Sequence, residues 1–160
     1  NHVWTWDFIF DRTDKGSTLK MLTMVDEYSR RCVTIRVERQ LDSDQVLSTL
    51  WQTMAVYGIP AYIRSDNGSE FIAGKIQTWL KDNHIKTLYI DPGSPWQNGY
   101  IESFHSRFRD ECLNREWLLN LREARVVIED WRQHYNEERP HSKLGYLSPE
   151  RFLQMKKVSP

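Results

Sequence analysis

The chain has 160 residues, 22 acidic and 22 basic side chains, and two cysteines. Its length suits a single domain with a sizeable core, and its charge balance excludes a stand-alone, non-specific nucleic-acid binder, because such binding depends on excess positive charge. The two cysteines form no C-x-x-C motif, which excludes a dense disulfide framework and fits a reducing compartment.

The N-terminal third predicts three strands. Residues 3–10, VWTWDFIF, alternate between two faces, and Asp7 lies on the face opposite four aromatic side chains. These aromatic residues are Trp4, Trp6, Phe8 and Phe10. An aspartate within such an apolar strand is costly unless it is paired or binds a metal ion. Residues 18–25 and 31–37 are also strand-like, and the polar stretch 26–30 joins them as a hairpin-style turn.

The middle of the chain alternates helices and strands. Asp42 and Gln45 have the spacing of a capping box, which predicts a helix that begins after Asp42. The predicted inward stripe of this helix is Val46, Leu47, Leu50, Trp51 and Met54. A strand over 61–65, a helix over 73–82 and a strand over 85–90 are predicted to follow.

The C-terminal part predicts two helices and a tail. Residues 91–95, DPGSP, predict a loop, and a helix is predicted to begin near Asn98 or Gly99. The last long helix is marked by Leu121, Ala124, Ile128, Trp131 and Tyr135. Residues 139–160 are predicted to be an irregular tail that packs on, or extends from, a catalytic core of residues 1–138.

The predicted order β-β-β-α-β-α-β-α-α indicates an α/β protein. Three antiparallel strands followed by two parallel strands form a five-stranded mixed sheet with helices on both faces. This arrangement is the ribonuclease H-like fold.

Three acidic residues stand out by position. Asp7 lies within the first strand, Asp66 ends the fourth in RSDNGSEF, and Glu102 opens a helix. Strands one and four are neighbours in this topology, and the helix after strand five can bring Glu102 over them. Three adjacent carboxylates repel one another without a cation, whereas two Mg²⁺ ions would complete a site for phosphoryl transfer. Considered alone, an aspartate in the setting of Asp66 is more commonly a turn residue than a metal ligand. A helix glutamate such as Glu102 is more commonly a solvated side chain.

Five segments carry a resemblance to a known family. They are WTWDFIFDRT, VDEYSRRCV, IRSDNGSEF, GSPWQNGYIESFHSRFRDECLN and HYNEERPHSKLGYLSPERF. The chain resembles the catalytic cores of transposases in the retroviral-integrase superfamily, and most of all the insertion-sequence transposases whose second reading frame carries the core. Those cores have a D, D, 35-residue gap, E signature, and 35 residues separate Asp66 from Glu102 here.

The resemblance implies Mg²⁺- or Mn²⁺-dependent cleavage at the DNA ends of an element, followed by strand transfer. Water attacks a phosphodiester to free a 3′-OH, which then attacks a second phosphodiester. Asp7 is expected to bridge two ions, with Asp66 on one and Glu102 on the other. The expected partners are terminal-repeat DNA, target DNA and further copies of the protein. Without DNA the site is expected to be empty or to hold one ion.

The resemblance also implies DNA contacts around the acids. Asn98 lies four residues before Glu102, where integrases place an amide that contacts DNA. Asn67 shapes the turn after Asp66 and is a candidate contact because the metal site is so close.

A basic helix face is the other implied contact. His105, Arg107 and Arg109 follow Glu102, and Arg109 is expected on its face, where these families carry a basic residue that holds phosphates. The alternative is a solvent-exposed helix face on which Asp110 and Glu111 neutralise the positive charges of the arginines.

Other functions fit less well. A ribonuclease H-like nuclease normally needs a fourth acidic residue, and a catalytically silent DNA-binding or assembly module would not need all three acids. His134 and His141 lack partners at zinc-ligand spacing, and there is no G-x-S-x-G motif.

The chain begins with Asn rather than Met, so we expect it to be a piece of a longer protein. Its neutral charge leads us to expect specific DNA-end recognition in a helix-turn-helix region N-terminal to it. No apolar run approaches transmembrane length and no signal peptide is visible, which predicts a cytoplasmic protein without a membrane partner.

Overall fold

A computed structural model describes residues 2–66, 74–91 and 93–158. The strands are β1 (Val3–Arg12), β2 (Thr18–Asp26), β3 (Cys32–Glu38), β4 (Tyr62–Ser65) and β5 (Lys86–Tyr89). The helices are α1 (Ser43–Tyr57), α2 (Gly74–Asp82), α3 (Gly99–Phe108), α4 (Leu121–Glu137) and α5 (Pro149–Val158). Short 3₁₀ turns cover Pro95–Asn98 and Ser142–Leu144, and a π-helical turn covers Arg109–Leu113.

The sheet has the predicted mixed topology. Its five strands lie in the order β3-β2-β1-β4-β5. β1 pairs antiparallel with β2, and β2 with β3, whereas β4 is parallel to both of its neighbours. β1 is therefore the central strand, at the junction between the antiparallel and parallel halves.

Each face of the sheet has its own apolar cluster. The cluster beneath α1 and α2 includes Trp4, Trp6, Leu22 and Met24 from the sheet. The cluster beneath α3 and α4 includes Ile9, Met21 and Val25, which pack against an aromatic group on the two helices. That group is Phe104, Phe108, Trp131 and Tyr135, with ring centroids of successive pairs 5.1–6.0 Å apart.

Helix α1 confirms the predicted cap but not the whole predicted stripe. Asp42 accepts a hydrogen bond from Gln45 N–H, and the Gln45 side chain accepts one from Asp42 N–H. Trp51, predicted to face inward, is 64% exposed. Thr49 and Thr53 occupy buried positions instead, because each hydroxyl donates to the carbonyl four residues earlier.

The prediction of an irregular tail was wrong for its last part, which forms α5. Pro149 opens this helix, where its missing N–H costs nothing. Ser148 precedes it, and its hydroxyl accepts a hydrogen bond from Arg151 N–H at 3.3 Å. The helix contacts the β2–β3 turn through the Tyr28–Phe152 ring pair and the Arg31–Glu150 ion pair.

Within the three described ranges, no helix combines the length and the apolar character needed to cross a bilayer.

Candidate active site

The central strand places Asp7 on the sheet face that packs against α3. Thr5, Asp7 and Ile9 alternate with the tryptophans of the opposite face, and Ile9 belongs to the cluster beneath α3. Asp7 is half-buried, and one oxygen of its carboxylate accepts a hydrogen bond from Phe8 N–H at 2.8 Å. The carboxylate is therefore held close to the strand backbone.

The register of β1 and β4 brings Asp66 beside Asp7. The parallel ladder pairs Trp4 with Ile63 and Thr5 with Arg64. Two further residues along each strand lead to Asp7 and Asp66, and neighbouring strands lie about 4.8 Å apart. Ile63 faces the cluster beneath α1, so strand alternation directs Arg64 and Asp66 to the α3 face, where Asp7 lies.

Helix α3 is anchored to the strand that carries Asp7. The Thr23 hydroxyl donates to the main-chain carbonyl of Asp7 at 3.1 Å and lies 2.7 Å from Nε2 of His105. Because the hydroxyl has a single proton, which goes to Asp7, the ring nitrogen must donate to Thr23. This chain of bonds joins β1, β2 and α3 directly over the first carboxylate.

Glu102 lies one helical turn before His105 and shares its side of α3. Its side chain is exposed, while Ile101, Phe104 and Phe108 hold the helix on the sheet. Within the described ranges, no group of three or more His, Cys, Asp or Glu side chains is close enough to hold a metal ion. The structure thus brings Asp7 and Asp66 together by register and leaves the triad with Glu102 unassembled.

The donor set nevertheless fits a divalent cation. Carboxylate oxygens are the ligands that Mg²⁺ prefers. Two carboxylates at facing positions of adjacent strands repel each other unless a cation lies between them.

His105 is a neutral side chain at physiological pH. Burial lowers its pKa to about 4, and the positive charge of Arg109 contributes to the same shift. It therefore acts as a hydrogen-bond donor to Thr23 rather than as a cation for phosphate.

Arg109 lies where α3 passes into the π-helical turn. Helix α3 ends at Phe108, and Arg109 begins the π-helical turn. The Arg109 guanidinium donates to the carbonyl of Phe10 at 3.1 Å, which links this turn to the end of β1.

The remaining predicted DNA contacts have different surroundings. Arg107 is half-buried and donates to the Ser103 hydroxyl at 2.5 Å, on the side of α3 away from His105. Asn98 is only 9% exposed, and its Oδ1 has no hydrogen-bond partner in the described part of the chain. Asn67 lies outside the described residues.

Sequence reasoning missed Thr23 and Trp96. Thr23 lies between Leu22 and Met24 in a fully buried stretch of β2, so a lone hydroxyl in an apolar strand was its signal. Trp96 is 73% exposed in the turn that leads into α3, and its signal was a tryptophan within a loop rich in Pro and Gly.

Comparison with known proteins shows which family this chain belongs to. A model described as "Integrase core domain" matches residues 1–95, and a second model of the same description matches residues 83–149. This chain belongs to the integrase core domain family. The resemblance seen in the sequence motifs is thereby confirmed.

Two curated relatives of this integrase core belong to insertion elements. An uncharacterized 39.2 kDa protein of insertion element IS476 from Xanthomonas euvesicatoria is 43% identical over 95% of this chain and 44% of its own length. The transposase InsF for insertion sequence IS3fB from Escherichia coli is 27% identical over 95% of this chain and 54% of its own length. The chain therefore spans about half the length of these relatives.

A solved structure confirms the ribonuclease H-like fold of the integrase core. The catalytic core domain of HTLV-2 integrase, solved in complex with magnesium in a trimeric form, superposes with a TM-score of 0.77. The match covers 95% of both chains at 19% sequence identity. At this identity the comparison carries the fold alone.

Proposed function

We propose that this chain is the catalytic core of an insertion-sequence DNA transposase of the DDE type. The observation that carries the proposal is the β1–β4 register, which sets Asp7 beside Asp66 beneath the helix that bears Glu102. Membership of the integrase core family supports the same chemistry. The full protein would act on the terminal repeats of its element in the bacterial cytosol.

The three acids would hold two Mg²⁺ ions, or Mn²⁺ in their place. Asp7, Asp66 and Glu102 would each supply carboxylate oxygens to hold them. Bound ions of this kind stabilise the entering and leaving oxygens of an in-line displacement at phosphorus.

The reaction has two phosphoryl-transfer steps. In the first, a water oxygen bonds to the phosphorus of a phosphodiester, and the 3′-oxygen leaves and takes up a proton. In the second, that 3′-OH loses its proton as its oxygen bonds to a phosphorus of the target strand, and the target's own 3′-oxygen leaves. No covalent bond to the protein forms in either step.

The chain's own residues position these groups. The His105–Thr23–Asp7 hydrogen bonds fix the height of α3 above β1, and Arg109 ties the end of α3 to Phe10. Glu102 is exposed and has no such anchor among the described residues, so its carboxylate would complete the site when DNA and cations are bound. Two element ends must be processed together, and the active protein would therefore be a multimer.

The test is cleavage and strand transfer on terminal-repeat DNA with the full-length protein. We expect products with Mg²⁺ or Mn²⁺, and a loss on the order of 10³-fold for Asp66→Asn, because metal ligation contributes several kcal/mol to such steps. Asp130→Asn, an exposed aspartate on α4, is the matched control. Wild-type turnover by Asp66→Asn would reject the assignment.

The same assay separates the rival functions. Cleavage of an RNA–DNA hybrid without strand transfer would indicate a ribonuclease H-like nuclease. Binding of DNA with no cleavage under any metal would indicate a silent assembly module.

A further inference from the structure

A separate cavity lies on the other side of α3. It has a volume of about 340 Å³ and lies between α3, the β2–β3 turn and the segment that follows α4. This is at the lower end of the range of small-molecule sites, about 300–1,000 Å³. Six of its lining side chains carry the argument: Arg30, Trp96, Tyr100, Arg107, His141 and Lys143.

The cavity concentrates positive charge. Arg30, Arg107 and Lys143 line it, and its described lining includes no aspartate or glutamate. Across the described ranges, none of these three cations forms an ion pair, whereas the neighbouring Arg31 and Arg139 are paired with Glu150 and Glu111. In a chain with equal numbers of acids and bases, such a cluster favours an anion.

Aromatic rings form the other part of the cavity. Trp96 is 73% and Tyr100 38% exposed, so both present ring surface to a ligand. The guanidinium carbon of Arg30 lies 4.1 Å from the centre of the Tyr100 ring, which holds that ring in place. Flat apolar surfaces next to cations are the combination that binds nucleotides by base stacking and phosphate pairing.

His141 adds an unsatisfied polar atom to the cavity wall. The residue is 5% exposed, and its ring packs edge-on against the Tyr135 ring, with the centroids 4.7 Å apart. The Nε2 atom has no hydrogen-bond partner in the described part of the chain. A ring nitrogen of histidine can donate or accept according to the tautomer, so Nε2 is available to bond a polar group of a nucleobase.

We propose that this cavity binds one unstacked nucleotide of a DNA strand. The base packs against Trp96 and Tyr100, and its 5′-phosphate pairs with Arg107 and Lys143. This proposal rests on the proposed function, because it needs DNA at the active site. Helix α3 carries Glu102 of that site on one side and lines this cavity with another side. A DNA strand bound at the acids is the source of the nucleotide that the proposal names.

The test uses a fluorescent nucleotide and no metal. 2-Aminopurine deoxyriboside 5′-monophosphate is titrated with the protein in EDTA, beside the nucleoside and a single-stranded octanucleotide containing one 2-aminopurine. We expect the emission of the monophosphate to be quenched on binding, with the nucleoside roughly tenfold weaker or more, because charge-assisted bonds to phosphate are lost. The octanucleotide should bind at least as tightly as the monophosphate.

Variants locate the binding. Arg107→Ala/Lys143→Ala should weaken monophosphate binding at least about tenfold, and Trp96→Ala should remove most of the quenching. Arg122→Ala/Lys157→Ala removes two exposed charges elsewhere and should bind as wild type. Circular dichroism establishes that each variant is folded.

Three results would overturn the proposal: no binding at millimolar probe, equal binding by the Arg107→Ala/Lys143→Ala variant, or binding of the monophosphate without the octanucleotide. The last would indicate a free nucleotide rather than DNA. If the wild-type protein bound the nucleotide but showed no strand transfer, the proposed function would be rejected instead.

Discussion

The two faces of the sheet use the same strands for different purposes. Toward α1 and α2, β1 and β2 present Trp4, Trp6, Leu22 and Met24, all buried and apolar. Toward α3, the same stretches present a polar group in the middle of the sheet. Its members are Thr5, Asp7 and Thr23.

This difference shows where buried polar groups enter the sheet. Thr5 and Thr23 are fully buried, and a buried hydroxyl costs free energy unless it is hydrogen-bonded. The Thr23 hydroxyl offsets this cost with its hydrogen bonds to the Asp7 carbonyl and the His105 ring. The face toward α1, the apolar face, therefore presents packing alone, while the face toward α3, the polar face, combines an apolar cluster of its own with the carboxylates.

The largest effect should come from Asp7 on the polar face. Asp7→Asn should lower strand transfer on the order of 10³-fold, because one metal ligand is lost. It should leave the free energy of unfolding unchanged or slightly higher, since a carboxylate beside Asp66 is removed. Urea unfolding and the strand-transfer assay measure the two quantities. A variant that unfolds instead would show that Asp7 serves stability.

On the apolar face the effects should be reversed. Trp6→Ala should lower the free energy of unfolding by about 3–5 kcal/mol, because a fully buried indole leaves a cavity. Trp117→Ala, at a side chain that is 78% exposed, should change it by less than about 0.5 kcal/mol. Equal losses in urea unfolding would contradict the packing role of Trp6 in the apolar face.

The buried histidine beneath α3 should make stability depend on pH. The His105 pKa falls from its ordinary value of 6.5 to about 4 in the folded chain, so the unfolded state binds a proton first as pH falls. Stability should be fully present above pH 6.5 and should decrease toward pH 4. Between pH 7.5 and 5 the loss from His105 is about 2 kcal/mol.

His105→Gln should flatten the pH dependence of the wild-type protein, because the titrating imidazole is removed. Urea unfolding at the two pH values measures this change. An unchanged pH slope in His105→Gln would place the titrating group elsewhere, with His141 the next candidate, since burial lowers its pKa to about 4 as well.

The smallest effect concerns the cap of α1, far from the polar face. Asp42→Ala should lower the free energy of unfolding by about 1 kcal/mol, because Gln45 N–H loses its acceptor. Asp42→Asn keeps an acceptor oxygen and should differ from wild type by only a few tenths. The thermal midpoint of each variant measures this, and strand transfer should be unaffected.

Local rules predicted much of this fold from the sequence. The capping box of Asp42 and Gln45 and the alternation of β1 each depend on residues close together in the chain. Because β1 alternates so clearly, its sequence alone assigns Asp7 to one face of the sheet. The adjacency of β1 and β4 followed from the order of the elements.

The rest depends on contacts between distant residues or on signals that were overlooked. The Thr23–His105 bond joins residues 82 positions apart, and no local pattern indicates it. Trp51 was misplaced because two threonines took the buried positions by bonding to their own helix. Helix α5 did have a local signal, Ser148 followed by Pro149, although the nearby Gly145 and Pro140 favoured an irregular tail.

Manganese anomalous scattering tests the central claim most directly. Crystals of the protein with terminal-repeat DNA and Mn²⁺ should show anomalous density in contact with carboxylate oxygens of Asp7, Asp66 and Glu102. Density bound elsewhere, with Glu102 remote from the two strand carboxylates, would contradict the account.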